Sequence, residues 1–221
     1  KITYTPRKHQ AFLHNKMSKN RGSVLVCHRR FGKTVCMINH LIRSALLSKQ
    51  KNPRYAYISP TFKQSKSIAW DYMKQFTAKI PYTKFNETEL RVDLPNGARI
   101  TLLGAENSDG LRGIYLDGCV IDEYANVHSK LFPEIIRPAL SDRKGYCVFI
   151  GTPQGMNNNF YELYQHAQGA DDWFNYIAKA SDTKIVDPEE LVKAKEVMGD
   201  KKYQQEFECD WIANIEGAIY N

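Results

Sequence analysis

At 221 residues and 25.5 kDa, with 43% hydrophobic and 25% charged residues, the chain can bury a sizeable core, which excludes a wholly disordered or collagen-like protein. No apolar run approaches the roughly 18 residues of a membrane span, and the chain opens at Lys1 without the charged and apolar stretches of a secretory leader, so a soluble, intracellular protein without a membrane partner is expected. The net charge of +7 is unevenly spread: residues 1–70 hold fifteen Lys or Arg and no Asp or Glu, while the remainder holds sixteen basic and twenty-four acidic residues. One end of the sequence is therefore suited to anions, either a polyphosphate or a nucleic-acid backbone, with a solvated basic face as the alternative.

Taken in chain order, the first apolar run, residues 23–27 (SVLVC), predicts a strand. It leads through a basic loop into residues 33–47, where Val35, Ile38, Leu41, Ile42 and Ala45 recur at helical spacing. Residues 55–59 (YAYIS) predict a second strand and residues 62–78 a second helix. The alternating stretch 84–94 ends in Pro95-Asn96-Gly97, a turn signal that closes a hairpin before the strand at 99–103 (RITLL). Strands at 118–122 (GCVID) and 146–151 (YCVFIG) follow. Several of these runs are continuously apolar, as strands buried on both faces are, and their alternation with helices predicts an α/β fold built on a mostly parallel sheet.

After Gly155 the character changes, with Asn157-Asn158-Asn159, helical patterns at 160–167 and 188–198, and a possible strand at 173–179 between them. Residues 1–154 are thus expected to form the core and residues 155–221 a smaller, mostly helical subdomain. The five cysteines (Cys27, Cys36, Cys119, Cys147, Cys209) are scattered without a C-x-x-C pair, predicting buried reduced thiols rather than disulfides or a zinc knuckle. The missing initiator Met, and the tail at 216–221 that reads as the start of a connection, predict that the sequence is part of a longer protein.

The strongest local signal is Cys27-His28-Arg29-Arg30-Phe31-Gly32-Lys33-Thr34, set between a buried strand and a helix. This is Walker A chemistry. Gly32 lets backbone N–H groups approach phosphate oxygens at a helix N-terminus, Lys33 reaches the β- and γ-phosphates, and the Thr34 hydroxyl is a ligand for Mg²⁺. Cys27 stands where the pattern has its first Gly. In His28-Arg29-Arg30 two guanidinium groups add charge where such loops are small or neutral, and Arg29 could touch the γ-phosphate from within the subunit. Downstream, Asp122 and Glu123 end an apolar strand as a Walker B pair: Asp122 for Mg²⁺ through water, Glu123 as general base for the attacking water.

In this order and spacing, residues 29–34, Gly110-Leu111-Arg112-Gly113, residues 120–125 and Gly151-Thr152-Pro153 resemble the ATPase domain of the large terminase subunit, the DNA-packaging motor of tailed bacteriophages. The resemblance covers almost the whole chain, and residues 203–211 resemble the segment that closes the family's lid. It implies a RecA/ASCE-like P-loop NTPase fold with a small C-terminal helical lid, ATP and Mg²⁺ as cofactors, and ATP-driven translocation of double-stranded viral DNA into a procapsid. Gln10, after Tyr4-Thr5-Pro6-Arg7, resembles the adenine-recognising Q motif. Arg29 matches the arginine carried in the family's phosphate loop, and Arg112 a finger that reaches a neighbour's γ-phosphate. Thr152 matches the coupling motif that senses that phosphate. A homo-oligomeric ring, commonly of five subunits, with a portal protein and a small terminase subunit as partners in the host cytoplasm, is implied as well. The family's nuclease carboxylates have no place in these residues.

Two other readings remain open from the sequence: a helicase-like DNA-dependent ATPase core, and a nucleotide-gated DNA-binding scaffold with a vestigial site, against which Glu123 argues. Lys16, Lys19, Arg21, Lys63 and Lys66 are candidates for DNA contact by charge alone.

Overall fold

The computed structural model describes residues 4–213, so the tail at 216–221 lies outside the described residues. Among the described residues eight strands are formed: β1 Gly22–Cys27, β2 Arg54–Ser59, β3 Lys84–Asn86, β4 Arg91–Asp93, β5 Arg99–Gly104, β6 Gly118–Ile121, β7 Tyr146–Gly151 and β8 Trp173–Ala178. They make one sheet in the order β3-β4-β5-β2-β6-β7-β1-β8. All neighbours from β5 to β8 run parallel, and only the β3–β4–β5 edge is antiparallel.

The apolar runs are strands because helices cover both faces. Along β1, Leu25 and Cys27 point into one core with Tyr57, Val120 and Ile150, where α1 (Lys8–Met17) and α2 (Lys33–Leu47) contribute Leu13, Met17, Ile38 and Leu41. Val24 and Val26 point into the other core with Ile58, Ile121, Phe149, Phe160 and Trp211. The α2 boundaries match those expected. The second expected helix runs over Phe62–Ser65 and Asp71–Thr77 with a π-helical turn, Lys66–Trp70, between them. Such a bulge adds a residue to the turn. The Pro95-Asn96-Gly97 turn closes the hairpin as read: Gly97 takes φ +83°, and the Leu94 amide donates to Ala98 O at 2.8 Å.

One strand differs from its expected setting. Residues 173–178 pair in parallel with β1 along its whole length, from Gly22↔Trp173 to Cys27↔Ala178, so β8 extends the main sheet. Its side chains are half-buried up to Ala178, as befits an edge strand, and the run therefore lacks the continuous apolarity of β1 or β7. Three helices, Ala180–Thr183, Pro188–Met198 and Asp200–Phe207, follow it among the described residues, and the second buries none of its residues. All five cysteines are free and buried, as expected of small apolar side chains.

Candidate functional site

β1, β7 and β6 are consecutive in the sheet, and the register pairs Val26 with Gly151 and Ile121 with Phe149. The segments leaving their carboxyl ends therefore emerge side by side: the loop 27–34, Thr152, and the pair Asp122 and Glu123. This is the edge at which open parallel sheets bind ligands.

Loop 27–34 is built by two left-handed residues, Arg30 (φ +71°) and Gly32 (φ +87°), the second of which is the N-cap of α2. That N-terminus has no side-chain cap and no acidic residue in its first turn. Its first-turn amides are thus left without a side-chain acceptor, the arrangement that suits an anion. Phe31 is buried beneath the loop, and its amide donates to His28 O at 3.2 Å. The buried His28 ring makes two hydrogen bonds: Nδ1–H donates to Arg29 O at 2.6 Å, which leaves Nε2 to accept from the Thr183 hydroxyl at 2.8 Å. Burial holds the His28 pKa below its usual value. His28 and Phe31 are thus both packed beneath the loop. Besides that of Phe31, two more loop amides are committed, His28 N–H to Ala178 O at 3.0 Å and Arg29 N–H to Glu206 O at 2.8 Å, so the C-terminal segment braces the loop. Cys27 is buried, and burial pushes its thiol up to about 12; its carbonyl, however, accepts from Lys33 Nζ at 3.1 Å, and His28 O accepts from the same amine at 3.4 Å.

Asp122 is 4% exposed with both carboxylate oxygens engaged: Oδ1 accepts the Glu123 amide at 2.9 Å and Oδ2 the Tyr57 hydroxyl at 2.5 Å. Burial raises its pKa, while the Tyr57 bond, Lys33 and the Glu123 amide pull it down. Glu123 sits at φ +49°, a left-handed conformation that costs a non-glycine residue strain and turns its side chain off the strand line. Burial raises its pKa, the Asp122 charge adds to this, and Lys33 and Arg29 oppose it. Lys33, Asp122, Glu123 and Arg29 thus share one electrostatic environment. Thr34 adjoins the Tyr57 hydroxyl. Thr34 and Asp122 offer only oxygen, the donor type Mg²⁺ takes, and a carboxylate whose lone pairs are partly engaged fits a metal held through water. Among the described residues no cluster of three or more His, Cys, Asp or Glu forms a metal cage.

The remaining sequence-predicted residues fall in different places. Thr152 is buried at the end of β7, between the loop and the carboxylates. Gln10 is buried against the loop: its Nε2 donates to Gly32 O at 3.3 Å and its Oε1 accepts the Arg7 amide at 3.0 Å. Arg29 and Arg30 are exposed. Arg112 faces outward, with a side chain 56% exposed and Nη2 4.0 Å from Glu134 Oε2. Sequence reasoning missed Tyr57 and Thr183, and singled out Glu206 only within the segment 203–211. Tyr57 looks like one more apolar position of β2, although a hydroxyl at the centre of a strand buried on both faces must find a partner. Thr183 carries no sequence signal, and the Glu206 contact with the loop is made by its backbone carbonyl, which any residue would supply.

Residues 26–221 match the family model described as Terminase large subunit, T4likevirus-type, N-terminal. The terminase large subunits of Thermus phage G20c and Thermus virus P23-45 are each 26% identical over 182 residues, covering 74% of this chain. The chain spans about a third, 36%, of the length of those relatives. Among solved structures, the large terminase ATPase domain of Thermus phage P74-26 shares the fold with a TM-score of 0.79 at 21% identity, covering 95% of both chains. The large terminase of a thermophilic bacteriophage, in complex with ADP, gives 0.79 at 15% identity over 92% of this chain and 53% of its own. With its family model matched from β1 onward, this chain belongs to the terminase large subunit family, as the N-terminal region of the T4likevirus type.

Proposed function

We propose that the chain is the Mg²⁺-dependent ATPase motor domain of a viral DNA-packaging terminase, and that its hydrolysis cycle moves double-stranded DNA into a procapsid. The observation that carries this reading is the convergence of Lys33, Asp122 and Glu123 at adjacent strand ends, next to an uncapped helix N-terminus. The related large terminase of the thermophilic bacteriophage, solved with ADP and with ATP-γ-S, supports nucleotide binding.

In this mechanism the triphosphate lies on the first-turn amides of α2, and Lys33 turns its amine from the Cys27 and His28 carbonyls to phosphate oxygens. Thr34 and Asp122 would hold Mg²⁺, which supplies neutralisation of the charge on the β- and γ-phosphates. Glu123, with its proton affinity raised by burial and by Asp122, takes the proton of the attacking water. Arg29, near enough to lower the Glu123 pKa, stabilises the γ-phosphate charge from within the subunit. Thr152 senses the loss of that phosphate. Of the segment from residue 155 onward, the part beyond β8 acts as a lid, and the contacts of Thr183 and Glu206 with the loop support that role. Gln10 is read as the adenine-edge residue, its second amide proton serving the base. The outward-facing Arg112 serves a neighbouring protomer, which makes hydrolysis depend on a ring, taken as a pentamer, docked on a portal protein with a small terminase subunit, in the host cytoplasm. Exposed Lys16, Lys19, Arg21, Lys63 and Lys66 give phosphate contacts to DNA.

The test is ATP turnover by the purified chain with and without duplex DNA, in wild type and in Glu123→Gln. We expect duplex-stimulated turnover that falls steeply with salt and no strand separation, and at least a roughly 100-fold loss in Glu123→Gln with nucleotide binding retained. Turnover unchanged by Glu123→Gln would refute the assignment of the base, and strand separation would favour a helicase.

A further inference from the structure

Tyr57 lies in the middle of β2, fully buried, with Leu102 of β5 on one side and Val120 of β6 on the other. A phenylalanine would fill the same volume there, so packing does not require the hydroxyl. What the hydroxyl does is specific. It donates to Asp122 Oδ2 at 2.5 Å while the Glu123 amide donates to Oδ1 at 2.9 Å. With one donor on each oxygen the carboxylate cannot turn about its terminal torsion without losing a bond, and its remaining lone pairs are aimed in fixed directions. Thr34, in the first turn of α2, also acts on this hydroxyl, lowering the Tyr57 pKa. One phenol therefore holds the Asp122 carboxylate, one of the two side chains read as holding the metal, across the boundary between β2 and β6.

We propose that Tyr57 is a positioning residue that sets the Mg²⁺ affinity of the nucleotide site, by fixing the Asp122 carboxylate before nucleotide arrives. The inference rests on the reading of Thr34 and Asp122 as the metal-holding pair. It separates Tyr57 from Lys33 and the α2 amides, which bind phosphate directly and need no metal for that contact. It also gives a role to the hydroxyl of a fully buried residue.

The experiment is equilibrium binding of a fluorescent ADP analogue to the full 221-residue chain, titrated with Mg²⁺ and repeated in EDTA, for wild type, Tyr57→Phe, Asp122→Asn, the double variant, and Val120→Ala as a packing control in the neighbouring strand. For Tyr57→Phe the half-saturating Mg²⁺ concentration is expected to rise about ten-fold, the scale of one lost hydrogen bond to a charged group, with metal-free nucleotide affinity unchanged within about two-fold. Added to Asp122→Asn, the same substitution should change nothing further. Val120→Ala should lower stability and leave the Mg²⁺ midpoint alone. A wild-type midpoint in Tyr57→Phe, or an equal shift in Val120→Ala, would overturn the positioning role while leaving the nucleotide site intact. Nucleotide binding by wild type that is indifferent to Mg²⁺ would overturn the metal assignment itself, and the inference with it.

Discussion

Acid should loosen the clasp between α1 and α2, because two histidines are buried there without charge. His14 Nδ1 and His40 Nδ1 are 3.2 Å apart, one donating and one accepting, with their rings stacked at 5.4 Å and the Tyr4 hydroxyl 3.0 Å from His14 Nε2. His40 is 1% exposed and His14 8%. Burial, with Arg43 nearby, pushes the His14 pKa down to about 4, and burial, His14 and Arg43 push that of His40 down to about 3. In the unfolded chain both titrate near 6.5, so between pH 6.5 and about 4 the unfolded state binds more protons than the folded one, and stability falls as pH falls. At about 1.4 kcal/mol per pH unit per group, pH 5 removes about 2 kcal/mol for each histidine, or about 4 kcal/mol for the pair, a large part of the stability of a typical domain. Urea unfolding at pH 7.5, 6.5, 5.5 and 5.0 measures this, comparing wild type with His14→Leu/His40→Leu. Titrating groups common to both proteins cancel in the difference. The wild type should lose about 4 kcal/mol more than the double variant between pH 7.5 and 5.0. Parallel pH profiles would refute the reasoning. The effect bears on function because α1 carries Gln10, whose amide holds the Gly32 carbonyl of the loop.

Two further substitutions probe the loop directly. Gly32→Ala puts a Cβ 3.0 Å from Gln10 Nε2 at φ +87°, so strain of about 1–2 kcal/mol and weakened nucleotide binding are expected, read by thermal melting and nucleotide titration; an unchanged melting temperature would contradict the left-handed cap. Thr183→Val removes the hydroxyl that donates to His28 Nε2 and leaves a buried acceptor unpaired, costing about 1–3 kcal/mol and lowering the melting temperature by several degrees; a neutral effect would remove Thr183 as a brace of the loop.

Most of the sheet is readable from sequence because its strands are apolar on both faces, and the phosphate loop because Gly32 and Lys33 sit between an unbroken apolar run and an amphipathic helix. The strand order is not readable, since it depends on crossovers that leave no local mark. β8 reads as a strand but falls, by sequence, in the smaller C-terminal part, because Trp173, Phe174 and Tyr176 are half-buried aromatics at an edge and do not repeat the pattern of the central strands. Lys33, Asp122 and Glu123 are legible as residue types whose chemistry has few other uses in that spacing. Tyr57, Thr183 and Glu206 are not, because each acts through a partner far away in sequence: Asp122, His28 and the Arg29 amide. The commitment of the His28 and Arg29 amides to Ala178 and Glu206, which narrows the phosphate-binding set to the α2 end of the loop, is visible only in the folded chain.

The most direct test of the central claim is a crystal structure of this chain with Mg²⁺ and a non-hydrolysable ATP analogue. The triphosphate should lie on the α2 N-terminus, with Lys33 Nζ moved from the Cys27 and His28 carbonyls to phosphate oxygens and Asp122 facing the metal through water. Nucleotide bound elsewhere, or Lys33 still folded onto those carbonyls with Asp122 remote from the metal, would contradict it.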